Sequence, residues 1–240
     1  MSEPFKYETH CHTSEASRCG RMSGAAVAEF YASLGYTGIF TTDHFFNGSS
    51  NVPKDLPWEE KVAIFLSGYS AAKRRGEELG LDVFFGIEYN YGQTEFLIYG
   101  ADEAFLLAHP DCDRMEMRDF LTLCHENALF CVQAHPFRQR GYIKCLRLYP
   151  DITDAVECVN AAHPLAPDGS VPFDERARWY ASSYSLPVTG GSDCHIPNMA
   201  MMGGIYTEER IHGWQDYARL VTDRRVTPFR IPHISGGKPE

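Results

Sequence analysis

The sequence predicts an α/β fold in which parallel strands form a central sheet or barrel that is covered by helices. Short apolar runs typical of buried strands alternate with longer segments of helical periodicity, and metal-binding side chains recur where the predicted strands end. Both a βα barrel and an open α/β sheet place the active site at the carboxyl ends of their strands. Because most of the strands contribute such a residue, a barrel is favoured over an open sheet.

The elements follow one another without an internal repeat or linker, which predicts one domain over residues 1–240. Ser23 is expected to cap the first helix, and Gly35 and Gly80 to end the first and second. The Gly- and Pro-rich tail 234–240 is expected to be mobile. Seven strands are predicted, at 5–10, 37–42, 82–87, 95–99, 129–134, 154–159 and 186–189. Helices are predicted at 25–34, 58–79, 115–127, 143–148, 173–184 and 213–223.

Composition restricts the partners that the protein can bind. The net charge of -10 disfavours a general nucleic-acid or anionic-membrane surface, so an anionic substrate would need local neutralisation, which bound metal ions supply. None of the 8 cysteines forms a CxxC pair, and several lie in apolar runs as small hydrophobic residues. With no signal peptide and no apolar run of membrane-spanning length, we expect a reduced, cytoplasmic protein without a membrane partner.

The first predicted strand ends in a His-x-His pair. Side chains alternate along a strand, so His10 and His12 point to the same face, where two imidazoles can hold one metal ion. The alternative is that each histidine makes only an ordinary hydrogen bond.

Other predicted strands end in similar residues. A mixture of imidazoles and a few carboxylates suits Zn, Mn or Fe(II) better than Mg or Ca. The alternative is a set of separate buried residues, each satisfied by its own hydrogen bond. His163 lies just after the sixth strand, outside this set. The strand-end residues are His10, His12, Asp43, His44, Glu88, His135, Asn160, Asp193 and His195.

Five short segments, in this order, resemble the motifs of the PHP (polymerase and histidinol phosphatase) family and span residues 8 to 195. They are ETHCHT at 8–13, TDH at 42–44, GIE at 86–88, AHP at 134–136 and GSDCH at 191–195. The resemblance implies a distorted seven-stranded, TIM-like βα barrel with its active site at the carboxyl ends of the strands. It also implies two or three divalent transition-metal ions (Zn, Mn or Fe) and hydrolysis of phosphoric esters.

The resemblance also implies roles for individual residues. His10, His12, Glu88 and Asp193 would form a first metal site, and Glu88 would bridge to a second site containing His135. His44 and His195 would hold a third ion, and Asn160 would orient substrate or water.

The chain departs from the family pattern at three places. Glu8 stands where the family usually has Asp. The family usually has another histidine shortly after the His-x-His pair, but residues 14–19 contain none. This leaves Cys19 as the soft ligand for the third ion and Glu15 as its alternative. Residues 95–99 lack the histidine that often completes the second site, so that site is expected to be weak, completed by water or empty.

The function predicted from these features is a metal-dependent phosphoesterase that hydrolyses a small phosphorylated metabolite through a metal-bridging hydroxide, as a phosphomonoesterase similar to histidinol phosphatase. Arg18 and Arg138 are candidates to bind the phosphate, and His195, His44 or Asp43 to protonate the leaving group. Two alternatives remain. One is a phosphodiesterase for a cyclic or short nucleotide, since long nucleic acid is not expected as a partner. The other is a non-catalytic, metal-binding regulatory domain.

Overall fold

The computed structural model describes residues 3–233, which form one mixed sheet with helices packed against its outer face. The predicted tail 234–240 lies outside the described residues. Within them, no helix is both long and apolar enough to cross a membrane. The strands are β1 (Phe5–Cys11), β2 (Gly38–His44), β3 (Asp82–Tyr91), β4 (Thr94–Tyr99), β5 (Phe130–Gln133), β6 (Ala155–Asn160), β7 (Val188–Gly191), β8 (Met201–Thr207) and β9 (Val226–Pro232). The helices are α1 (Gly24–Ser33), α2 (Trp58–Leu79), α3 (Glu103–Ala108), α4 (Met117–Glu126), α5 (Pro172–Ser183) and α6 (Trp214–Thr222).

The sheet curls into a nearly closed barrel. Its strand order is β7-β6-β5-β4-β3-β2-β1-β8-β9, and the segment after β7 returns to the end of β1. There the Asp193 N–H donates to the His10 carbonyl at 2.8 Å, and the His12 N–H donates to the Cys194 carbonyl at 3.0 Å. The barrel-shaped α/β class predicted from the sequence is confirmed.

The predicted count of seven strands is wrong, because the described chain contains nine. The seven predicted strands correspond to β1–β7. Strand β8 carries Gly203 and Gly204, which weaken a strand pattern, and a Cβ at Gly204 would lie 2.1 Å from the Tyr7 carbonyl oxygen of β1. Strand β9 contains Pro228 and Pro232, which an edge strand tolerates.

The expected parallel pairing is also wrong around β4. Strand β4 runs antiparallel to both β3 and β5. It follows β3 through Gly92 and Gln93, whose φ angles of 57° and 71° are those of a tight hairpin turn. A two-residue turn cannot connect parallel strands, so this hairpin reverses the chain direction.

The helix ends follow the predicted capping chemistry. The Ala26 N–H donates to the Ser23 hydroxyl at 3.2 Å, and Gly80 ends α2 with a φ of 71°. The predicted helix 143–148 is wrong, since this segment is irregular. Lys144 and Arg147 there donate to the carbonyls of Gly141 and Gly92. Helix α3, a short segment capped by Asp102, was not predicted.

The interior is apolar and aromatic on the helix side of the sheet. Strands β2 and β6 are buried along their whole length. Tyr89 of β3 stacks on Phe120 of α4 with ring centroids 3.6 Å apart. All eight cysteines are free, and Cys131 lies fully buried as a small hydrophobic residue. This packing holds the strand ends rigidly where the polar residues gather.

Candidate metal centre

Glu88, at the end of the region of β3 paired with β2, stands at the middle of a buried group of histidines. Its Oε1 lies 3.2 Å from His10 Nε2 and 3.1 Å from His135 Nε2. Its Oε2 lies 2.6 Å from His44 Nδ1 and 3.6 Å from His12 Nε2. One carboxylate therefore faces imidazoles from three other segments, which is the arrangement required of a bridging ligand.

Asp193 closes the group from the segment after β7. Its Oδ1 lies 3.2 Å from His12 Nε2 and 3.5 Å from His10 Nε2. His195 Nδ1 approaches the same oxygen at 3.4 Å, while Oδ2 forms an ion pair with Arg138. The ends of β1, β3 and β7 thus meet at one point, as the sequence predicted.

Several side-chain atoms of this group are buried without a hydrogen-bond partner. Buried polar atoms are rarely left unsatisfied, so atoms that converge in this way indicate a ligand. Imidazole nitrogens and carboxylate oxygens within 4.8 Å of one another form a donor set that fits transition-metal ions. The unsatisfied atoms are His10 Nε2, His12 Nε2, His44 Nδ1, Glu88 Oε2 and Asp193 Oδ1.

Hydrogen bonds on the far side of the imidazoles orient them for metal binding. His10 Nδ1 lies 2.9 Å from Glu157 Oε1, and His195 Nδ1 lies 2.8 Å from the Asp193 carbonyl. Since these oxygens only accept, Nδ1 donates the hydrogen bond, which leaves Nε2 as the nitrogen that faces a metal. His12 Nδ1 lies 3.1 Å from the Ser17 hydroxyl, which donates to Asp43 at 2.7 Å.

The backbone is strained at two of these positions. His135 has a φ of 27° and Asp193 a φ of 55°, and both angles lie in the left-handed region that residues other than glycine rarely adopt. Such strain persists where the surrounding structure fixes it, and it is concentrated at functional sites.

Glu157 of β6 is a site residue that the sequence analysis missed. It is buried, and besides His10 it accepts hydrogen bonds from the His135 N–H at 2.9 Å and from Asn160 Nδ2 at 3.0 Å. Burial opposes its ionisation, but His10, His135 and Asn160 together outweigh burial and lower the pKa of Glu157 to about 2. A lone carboxylate inside an otherwise apolar strand is the signal that could have found it.

Glu95 is the second missed residue. Its carboxylate lies 3.5 Å from His135 Nε2 and 3.9 Å from His44 Nδ1, and with His44 and Glu88 it forms a possible metal-binding group. Strand β4 runs antiparallel to β3, so the start of β4 lies beside the end of β3. Glu95 therefore lies beside His135, where the sequence analysis found no histidine to complete the second site.

The predicted third site brings together His12, His44 and His195 within ligand distance of one another. Cys19 lies beside two of them. Burial raises the pKa of its thiol, but the neighbouring His195 and His44 together outweigh burial and lower this pKa to about 6. A thiolate at neutral pH is a competent metal ligand.

Two predicted residues take positions away from the ligand atoms. Both carboxylate oxygens of Asp43 accept hydrogen bonds from the loop after β1, namely from Thr13 and Ser17 at 2.6–2.7 Å. Arg18 in that loop is exposed, and within residues 3–233 it forms no ion pair with the carboxylates of the group. Asn160 Nδ2, by contrast, lies 3.4 Å from Asp193 Oδ2.

Glu8, where the family usually has Asp, connects β1 to β7. Its Oε1 accepts the backbone N–H groups of His10 and Ser192, both at 2.8 Å, and its Oε2 accepts the Tyr31 hydroxyl at 2.9 Å. Burial, partly offset by the hydrogen bonds from Ser192, raises the pKa of Glu8 to about 7. This residue holds the frame of the centre and does not face its ligand atoms.

Fold and site together define a barrel protein with a candidate metal centre rich in histidine and carboxylate side chains. A family model described as PHP-associated (PHP_C) matches residues 173–214, the part of the chain that contains Asp193 and His195. Among curated proteins, none matches this sequence.

Solved structures share the fold at low sequence identity. A two-domain protein of Bacteroides vulgatus containing a predicted PHP-like metal-dependent phosphoesterase matches with a TM-score of 0.67 and 15% identity, over 94% of this chain and 64% of its own. A protein of Bifidobacterium adolescentis described as a metal-dependent phosphoesterase matches with a TM-score of 0.53 and 16% identity, over 94% and 99%. The lesion-specific endonuclease PfuEndoQ of Pyrococcus furiosus matches with a TM-score of 0.54 and 10% identity, over 91% and 56%.

The chain spans less than two thirds of the Bacteroides and Pyrococcus proteins. The family match over residues 173–214 supports the resemblance to the PHP family that the five sequence motifs carry, and the solved structures share the fold.

Proposed function

We propose that this protein is a metal-dependent phosphoesterase that hydrolyses a small phosphorylated metabolite as a phosphomonoesterase. The observation that carries the proposal is the convergence of buried, unsatisfied imidazole and carboxylate atoms on Glu88. The names of two structural neighbours, both described as metal-dependent phosphoesterases, support the same reaction class.

Two or three divalent transition-metal ions, held by the ligand group with Cys19 at its edge, would neutralise a phosphoryl group and activate water. Arg138 would bind the phosphate. Its Nη2 pairs with Asp193, and its Nε is buried without a hydrogen-bond partner. A guanidinium in this state can donate to a phosphoryl oxygen. Asn160, fixed by Glu157 and Asp193, would orient substrate or water.

His195 is the candidate that remains best placed to protonate the leaving group. Asp43 is occupied by the loop after β1, and His44 lies against Glu88. The side chain of His195 is 23% exposed and lines two clefts that reach the centre. If no ion occupies the third site, its Nε2 is free to carry the proton.

The first test is metal analysis of the purified protein, followed by a phosphatase screen with added Mn or Zn. We expect bound transition metal and hydrolysis of at least one small phosphomonoester. His10→Ala and Asp193→Asn should each lower kcat/KM by about a thousandfold or more, since each removes a ligand. The exposed His212 and Asp223 provide matched controls, His212→Ala and Asp223→Asn. A folded protein without bound metal and without any response to added metal contradicts the proposal.

Phosphodiesterase activity on a cyclic or short nucleotide is the second candidate, because the same metal chemistry cleaves both bond types and an endonuclease shares the fold. Including such esters in the screen separates the two. The feature that favoured the non-catalytic alternative was a second site without its usual histidine. The Glu95 carboxylate lies beside His135 at that place and offers a ligand in its stead, which weakens this alternative.

A further inference from the structure

A cleft of about 560 Å³ opens beside the metal centre, between the start of β4, the segment after β5 and helix α5. His135 and Glu95 belong both to its lining and to the ligand group, so the cleft is continuous with the centre. We call it the cationic cleft because of the charges that line it.

The lining contains six charged side chains other than histidine, of which five are cations, in a chain whose net charge is -10. Acidic residues outnumber basic ones in the sequence by 32 to 22, so this segregation of positive charge is opposite to the average of the chain. A cleft lined by one sign of charge concentrates ligands of the other sign. The six are Glu95, Arg138, Arg140, Lys144, Arg147 and Arg176.

The cations beyond Arg138 keep their charge available. Lys144 Nζ donates to the Gly141 carbonyl and Arg147 Nη1 to the Gly92 carbonyl, both at 2.7 Å. These carbonyls position the side chains without neutralising them. Arg176 of α5 is exposed, and within residues 3–233 none of the three forms an ion pair. Such groups bind phosphate and carboxylate through charge-assisted hydrogen bonds.

The other clefts that reach the centre have a different character. One of about 430 Å³ is lined mainly by apolar side chains, including Leu165, Ile196 and Met199. Another of about 590 Å³ shares Glu95 and Arg138 with the cationic cleft, but away from them its polar lining is neutral, with side chains such as Asn47 and Asn90. The positive charge therefore extends from the centre in one direction.

We propose that the cationic cleft binds a second anionic group of the substrate. The enzyme would then act on small phosphorylated compounds that carry a phosphate or a carboxylate remote from the ester that is cleaved. This inference rests on the proposed phosphoesterase function. Arg138 stays with the phosphoryl group that is transferred, while Lys144, Arg147 and Arg176 contact the remote anion. The acidic charge of the rest of the molecule disfavours a long polyanion.

The test compares phenyl phosphate, 4-carboxyphenyl phosphate and benzene-1,4-diyl bisphosphate as substrates of the metal-loaded enzyme. We expect one or both of the compounds that carry a second anionic group to have a higher kcat/KM than phenyl phosphate. The variant Lys144→Ala/Arg176→Ala should lower that preference by about tenfold or more, the usual size of a lost charge-assisted contact. A preference for benzene-1,4-diyl bisphosphate indicates that the cleft binds a remote phosphate, and a preference for 4-carboxyphenyl phosphate indicates that it binds a remote carboxylate.

Arg178→Ala is the matched control. Arg178 is an exposed arginine on α5, two residues from Arg176 and therefore on another face of the helix. The inference is overturned if Arg178→Ala causes the same loss, or if the double variant lowers phenyl phosphate hydrolysis as strongly. It is also overturned if an oligonucleotide is cleaved faster than the small compounds with the same dependence on Lys144 and Arg176.

A binding measurement separates this inference from the proposed function. Calorimetry with benzene-1,4-bisphosphonate and phenylphosphonate, which are not hydrolysed, needs no turnover. Tighter binding of the bisphosphonate that is lost in Lys144→Ala/Arg176→Ala supports the cleft even if no ester is hydrolysed. If wild type and the double variant bind the bisphosphonate equally while phenyl phosphate is still hydrolysed, the inference about the cationic cleft is overturned and the proposed function is not.

Discussion

Single carboxylates behind the ligands determine whether the centre is ready to bind metal. Glu157 contacts His10 Nδ1, the His135 N–H and Asn160 Nδ2 at once. It thereby fixes the ring of one ligand, the strained backbone of a second and a candidate substrate-binding amide. Such partners of metal ligands affect metal binding without touching the ion.

Glu157→Gln is expected to weaken metal binding by about 10–100-fold, because the amide is a poorer acceptor for the His10 ring and introduces a donor. Affinity is measured by competition with a chromophoric chelator. The exposed Glu126 of α4 gives the control, Glu126→Gln, which should bind metal like wild type. Unchanged affinity in Glu157→Gln would show that Glu157 serves only the packing of β6.

Metal uptake should depend on pH through the histidines around Glu88. Burial opposes the charged form of His10, but Glu157 and Glu88 outweigh burial and raise its pKa to about 10. Burial is also the largest single effect at His44, but Glu88, Cys19 and Glu95 together outweigh it and raise that pKa well above its usual value. Both shifts favour the protonated form of the ring in the metal-free protein, and a protonated ring must lose a proton to bind a metal.

Affinity is therefore expected to rise as pH increases from 6 to 8 and to fall as pH decreases, with protons released on binding (about one for each such histidine). Calorimetry in buffers of different ionisation enthalpy counts these protons. A binding enthalpy that is the same in every buffer would contradict this assignment.

At the scale of residues, the sequence predicted candidate ligands that the structure brings together, but it did not predict the residues that hold them in place. The predicted ligands stand at strand ends in recognisable motifs, and the structure brings His10, His12, His44, Glu88, His135 and Asp193 together. Glu157 and Glu95 were not predicted because neither follows a parallel strand, which is where site residues were expected. One lies inside a strand and the other begins an antiparallel one.

At the scale of elements, β7 brings the end of the barrel against β1. A Cβ built on Gly191 would lie 2.5 Å from His10 Cβ and 3.0 Å from Glu157 Oε1. The close approach of β7 is therefore possible only because this position lacks a side chain. The same approach brings Asp193 to the imidazoles of β1.

Gly191→Ala is expected to destabilise the protein by about 1–3 kcal/mol, since the added methyl group overpacks the region around His10. It should also reduce bound metal. Gly141→Ala is the matched control, because a Cβ at that exposed position meets no atom within 4 Å. Urea unfolding and metal content are the measurements, and equal stability of the two variants would contradict the prediction.

Sequence patterns predicted the elements better than their pairing. Apolar runs located β1–β7, and capping residues located the ends of α1 and α2. Strands β8 and β9 were not predicted because they contain glycines and prolines. The glycine at 204 allows β8 to lie close to β1, and the prolines of β9 are tolerated because β9 is an edge strand. Such reasons lie in tertiary contacts and cannot be found in local periodicity.

At the scale of the molecule, the metal centre connects strands that are distant in sequence. Its ligands come from β1, β2, β3 and the segments after β5 and β7. Without metal, buried carboxylates and imidazoles are left with unsatisfied atoms at the mouth of the barrel. Bound metal is therefore expected to stabilise the whole fold and not only the site.

Removing metal with EDTA should lower the Tm, and restoring Zn or Mn at about 1,000 times its Kd should add about 4 kcal/mol, or roughly 10 °C for a chain of this size. Differential scanning calorimetry gives the shift. Asp193→Asn should show little response to either treatment. If that variant gains as much from metal as wild type does, the stabilising ions bind elsewhere.

The seam between β1 and β7 has a consequence for biosynthesis. His10 and His12 leave the ribosome first, but Asp193 must follow before the first metal site is complete. Strand β1 also cannot complete its pairing until β8, its neighbour on the side away from β2, has been synthesised. The nascent chain therefore carries the two histidines before the carboxylate that approaches them has been made. The predicted first metal site can be complete only after residue 193 has been synthesised and β7 has met β1.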